Sequence, residues 1–166
     1  MVKQWGIGIL AGLAGTAALT AVVQFERKVL PFGRKHHATF QDKVIRKAEK
    51  VLGIQGRLSH SSERAAVHGS RVAYGTFIGS LYGWSASKVA VSPWLTGPAF
   101  GLFLWATGLA GWVPALGAER APWKKSPWQA AMPVLSHLAY GLAAAAVLRM
   151  AEERKAIARR NRLMVV

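Results

Sequence analysis

The chain predicts an all-α membrane protein of four transmembrane helices, and three observations lead there. Four stretches of about 20 residues are free or nearly free of charge, each long enough as a helix to cross the ~30 Å hydrocarbon core of a bilayer. Tryptophans collect at the ends of these stretches. The basic residues, which outnumber the acidic ones by 22 to 7, are crowded into the segments between and beyond them. A net charge of +15 on a chain that is 52% hydrophobic is otherwise hard to reconcile with a soluble protein. The 166 residues suit a single membrane domain. The absence of cysteine removes disulfides, thiolate metal sites and cysteine nucleophiles from consideration.

The first helix is expected over 5–24, a run without one charged residue. A cleaved signal peptide is the alternative. This run exceeds the usual ~7–15-residue apolar region of such a peptide, and three further apolar runs follow, so an uncleaved span is preferred. The connection after it is long and basic. Within it, residues 39–52 set Phe40, Val44, Ala48 and Val51 at helical spacing against a charged opposite face, and Gly53 is a natural stop. This amphipathic helix suits either an anionic lipid surface or a packed extramembrane position.

The second helix is expected over 65–86, interrupted by Arg71, and the third over 94–113. The fourth covers 128–149 and leads into a basic tail over 150–166 that extends the same helix. Trp5, Trp84 and Trp94 then fall at one membrane face and Trp112, Trp123 and Trp128 at the other, as amphipathic rings at headgroup level do. Four spans place both termini on the same side. Basic residues on the two faces are too evenly matched for the positive-inside rule to choose which side that is.

An internal repeat is visible. Ser70-Arg71-Val72-Ala73-Tyr74-Gly75 matches Ser136-His137-Leu138-Ala139-Tyr140-Gly141, which implies two helical hairpins in the same orientation. Small residues recur at four-residue spacing as Gly8 and Gly12, Gly75, Gly79 and Gly83, and Gly97 and Gly101. Such faces let helix backbones approach closely in lipid. They serve either packing within this bundle or a groove for another subunit's helix, a pigment or a lipid tail.

Ionisable groups at membrane depth need a reason. Arg71 and His137 occupy matching repeat positions, so a polar centre with Tyr74 and Tyr140 is one expectation, with Glu26 as counter-ion for Arg71. The alternative is that Arg71 snorkels to the interface. His68 and His137 sit at different depths, which argues against a bis-histidine haem, while a single-ligand haem or chlorophyll site at His137 stays open. His36, His37 and His60 lack further ligands at metal-site spacing. Phosphate-loop, serine-hydrolase and zincin motifs are absent. The few acidic residues lie outside the spans, so a paired-carboxylate active site is not expected. No polar reader or aromatic platform for nucleic acid is visible either.

The residues resemble the YagU-like family of bacterial inner-membrane proteins. The likeness runs from the Gly/Ala-rich first helix through Glu26, Leu30-Pro31 and Arg34 to His68 and the Tyr74-Gly75 and Tyr82-Gly83 pairs. It continues with Pro98, Gly101, Trp105, Pro114, Pro122-Trp123 and Ser136-His137. Residues 36–64 depart from the pattern. The resemblance implies a polytopic inner-membrane protein and carries no reaction with it. The expectation is therefore a non-catalytic accessory or scaffold subunit that binds anionic lipid or an acidic partner alongside other membrane subunits. A small transporter or channel, and a pigment- or haem-carrying subunit of an energy-transducing complex, are the alternatives.

Overall fold

A computed structural model of the chain describes residues 2–29, 59–115, 117 and 119–164. The expected amphipathic helix at 39–52, with His36 and His37, lies outside them. Among the described residues all regular structure is helical. Helix α1 spans Val2–Val29 and α2 spans His60–Ala86. Helix α3 runs over Pro93–Thr107, widens into a π-helical turn at Gly108–Trp112 and closes with Val113–Ala115. A 3-10 turn at Pro122–Lys124 precedes α4, which continues unbroken over Pro127–Leu163. Two of these helices, α1 and α4, are long and apolar enough to cross a membrane.

Local chemistry explains where the helices begin. Ser59 caps α2, its hydroxyl accepting the Ser62 amide at 3.2 Å. The triplet Ser-Pro-Trp opens both α3 and α4. In each, serine is the N-cap, proline takes the first helical position where no amide is needed, and an exposed tryptophan follows. Gln129 closes a capping box on Ser126. The π turn in α3 also has a local cause. Pro114 has no amide, and its ring would strike a carbonyl four residues back in a regular helix. Widening the turn, so that the Val113 amide reaches Gly108, relieves that clash.

Helices α1 and α4 form the middle of the bundle, with α2 on α1 and α3 on α4. Both outer pairs are antiparallel and glycine-to-glycine. A Cβ on Gly12 would meet the Gly75 carbonyl and lie 2.7 Å from Thr76 Cα, and one on Gly79 would strike the Gly12 backbone. In the other pair, a Cβ on Gly97 would strike the Gly141 carbonyl and lie 2.6 Å from Ala145 Cβ, and one on Gly101 would strike the His137 carbonyl. Gly12 thus stands to Gly75 as Gly97 stands to Gly141, the same register the sequence repeat sets out. Helices α2 and α3 touch mainly near their short connection. There the buried Tyr82 stacks on Phe100 at 4.9 Å, lies 2.9 Å from Thr96 Oγ1 and donates to the Pro93 carbonyl at 3.3 Å.

Glycine and alanine predominate among the buried residues. Ala11, Ala144 and Leu148 surround Tyr82, and the largest fully buried side chains among the described residues are Tyr82 and Val113. Large apolar groups point outward instead, with Leu10, Phe77, Leu95 and Phe103 each more than half exposed. Two buried hydroxyls turn back onto their own helices: Thr16 donates to Gly12 at 2.8 Å, and Ser136 donates to Pro133 at 3.0 Å.

Candidate functional site

The repeat positions anticipated as a polar centre differ in their surroundings. Tyr140 is buried, its ring lying where a Cβ on Gly15 would be, and its hydroxyl donates to the Gly75 carbonyl at 2.7 Å. One tyrosine thereby ties α4 to both α1 and α2. Its repeat partner, Tyr74, is 54% exposed and faces outward. The difference follows from the neighbouring helix: α4 lies along α1, whereas α2 meets α3 mainly near their connection, about two turns from Tyr74 at Tyr82.

His137 is half-buried, with Nδ1 2.7 Å from the Pro133 carbonyl. A carbonyl only accepts, so Nδ1 carries the proton and Nε2 keeps its lone pair, the form an axial ligand requires. Arg71 is half-buried too, and no ion pair joins it to Glu26. Among the described residues no hydrogen bond links Arg71, Tyr74, His137 and Tyr140 to one another. No cluster of three metal-ligating side chains occurs among them either.

The glycines singled out in the sequence lie at helix contacts inside the bundle. Gly8, Gly12, Gly75 and Gly79 join α1 to α2, and Gly97 and Gly101 join α3 to α4. Gly83 is buried one turn beyond Gly79. It lines a recess of about 50 Å³ with Ile7, Leu148, Glu152 and Lys155, where α4 leaves the bundle. Two glycines that sequence spacing did not single out belong with them. Gly15 receives the Tyr140 ring, and Gly141 meets the Gly97 backbone. The signal for Gly141 was already in the repeat, since it aligns with Gly75.

The tryptophans at both helix-end levels are all exposed: Trp5, Trp84 and Trp94 at one, Trp112, Trp123 and Trp128 at the other. Lys88 sits 3.7 Å over the Trp84 ring, holding a cation at that level. On the opposite side, Lys125 pairs with Glu119 at 3.1 Å and pins the connection into α4.

The strongest surface feature is the far end of α4. Arg149, Arg154, Lys155, Arg159, Arg160 and Arg162 are all exposed on one continuous helix. Arg149 takes the two acidic residues, Glu152 at 3.8 Å and Glu153 at 3.0 Å. The five remaining basic side chains make no ion pair among the described residues.

Comparison with protein-family models, with curated proteins and with solved structures found no match to this chain.

Proposed function

We propose that this chain is a non-catalytic integral membrane protein with four transmembrane helices, an accessory subunit that presents a basic helical end to a larger assembly. The observation that carries the reading is the inverted distribution of size: mostly glycine and alanine inside, most leucines and phenylalanines outside. In water that arrangement would waste the burial of large apolar groups. In lipid, close backbone approach drives association and large side chains face the acyl chains. The extent of exposure agrees. Only 22% of the apolar window of α1 and 39% of that of α4 are buried, unlike the core helices of a soluble protein.

In this reading α2 and α3 also cross. The start of α1, the 87–92 connection and the end of α4 share one face, and the 116–126 connection lies on the other. The likeness to the YagU-like family favours a bacterial inner membrane. Because the chain lacks cysteine, single substitutions report the topology directly. In sealed vesicles, Ser87→Cys and Asn161→Cys should react with an impermeant maleimide from the same side, and Lys124→Cys from the other. Labelling of all three from one side would overturn four spans.

An accessory role is favoured over a transporter because the Tyr140 hydroxyl and the His137 Nδ1 proton are already engaged within the bundle. Solubilised in mild detergent, the native protein should purify as a stoichiometric, colourless assembly. A monodisperse single species that moves an anion across liposomes would sink the proposal. A second reading, a pigment-carrying subunit, is favoured by the free Nε2 of His137. A visible absorption band in the same preparation, lost in His137→Leu, would replace the first reading with the second.

A further inference from the structure

We propose that the projecting end of α4 is a docking post for an acidic amphipathic helix of another protein. This deepens the accessory-subunit reading and rests on it. Three observations carry the inference, the first being reach. Leu148 shares a recess with Gly83 and Ile7, next to Trp84 and close to Trp5, and so sits at the level of one tryptophan belt. Arg159 is ~16 Å and Arg162 ~21 Å further along the helix at 1.5 Å per residue. The headgroup layer extends only ~5–7 Å beyond the hydrocarbon on each side. Side chains lean back toward the helix N-terminus, so Arg149, Arg154 and Lys155 reach headgroups. Arg160 and Arg162 stand roughly a Debye length or more outside them, where attraction to lipid is screened.

The second observation is uncompensated charge. The acidic residues of this segment, Glu152 and Glu153, lie on its membrane side and pair with Arg149. From Lys155 to Leu163 the helix carries four basic residues and no acidic one. A second copy of this chain, inserted in the same orientation, would set like charges side by side, so the complementary partner is a different, acidic one.

The third observation gives the partner its shape. Met150, Ile157 and Met164 recur every seven residues, so they share one side of the helix, and all are more than half exposed. Arg154 and Arg160 flank this seam on either side. An apolar line bordered by arginines matches a helix with an apolar line bordered by carboxylates. Neither a lipid headgroup nor a phosphate backbone would use Ile157.

The test uses the full chain in nanodiscs of pure phosphatidylcholine, where no anionic lipid competes. The probe is a labelled synthetic helix with leucine along one side and glutamate on both edges of it, read by fluorescence anisotropy. It should bind and should weaken on adding salt. Arg154→Gln/Arg160→Gln, which removes the two arginines bordering the seam, should weaken it about tenfold or more, and Ile157→Ser/Met164→Ser should also weaken it. Glutamine and serine at exposed positions leave the bundle untouched, which an unchanged melting temperature would verify. Several outcomes would overturn the inference. These are an unchanged affinity in the double arginine variant, equal binding of a probe whose leucines are replaced by serine, tighter binding of a short DNA duplex, or full displacement of the probe by phosphatidylserine vesicles. Loss of probe binding with the native assembly intact removes this inference alone. Probe binding without any native assembly removes the accessory reading alone.

Discussion

Gly79→Val and Gly141→Val are expected to cost the folded bundle at least about 3 kcal/mol each, the upper end of the range for overpacking. At both positions even a Cβ would run into the backbone of the facing helix, Gly12 for Gly79 and Gly97 for Gly141. A side chain in the way can rotate aside. A backbone can yield only if the whole helix retreats, and that would break the neighbouring glycine contacts of the same pair. Both variants should lose cooperative unfolding in detergent and elute as broad or aggregated species. Gly69→Ala is the matched control, because nothing lies within 4 Å of its Cβ position. That change should be neutral or stabilise by up to about 1 kcal/mol, through reduced freedom of the unfolded chain. Equal behaviour of Gly79→Val and Gly69→Ala would show that α1 and α2 do not meet as described.

The second large effect separates the two repeat tyrosines. Tyr140→Ala should destabilise by about 3–5 kcal/mol, since it empties a ring-sized space between α1, α2 and α4. Tyr140→Phe keeps the ring and loses only the bond to Gly75. Hydrogen bonds between membrane helices average ~0.6 kcal/mol, so the loss should be of that order. Tyr74→Ala should stay within about 0.5 kcal/mol of the parent, as exposed positions do. Denaturant titration of the three variants side by side is decisive. A loss for Tyr74→Ala as large as that for Tyr140→Ala would mean that the repeat is symmetric after all.

These two experiments also mark how far the sequence could be read. Helices were expected to start at 5, 65, 94 and 128, where the nearly charge-free runs were taken to begin, three of them at a tryptophan. They begin instead at residues 2, 60, 93 and 127. Backbone hydrogen bonding does not end where a bilayer would. The cap at Ser59 and the two Ser-Pro-Trp starts, both local signals, set the beginnings of α2, α3 and α4. The glycine spacing was legible because period four is a property of one helix. Which helix each glycine face meets was not, since that depends on bundle topology. The surroundings of each polar residue were hidden for the same reason. Matching positions in a repeat share a depth and a direction on their own helices, but what they point at belongs to the neighbour. Tyr140 points at Gly15 on the adjoining α1 and is buried, while α2 and α3 draw apart beyond their connection and Tyr74 stays exposed.

That asymmetry also says how the two halves are joined. Helix α2 lies along α1, α1 along α4 and α4 along α3, while α2 and α3 meet mainly where Tyr82 touches Phe100, Thr96 and Pro93. The contacts therefore run as an open row, α2–α1–α4–α3, and not as a closed ring of four. The two hairpins are clasped through their inner members, with Tyr140 as the rivet across that seam. Parting the halves would mean opening α1 from α4 while leaving each glycine-lined pair intact.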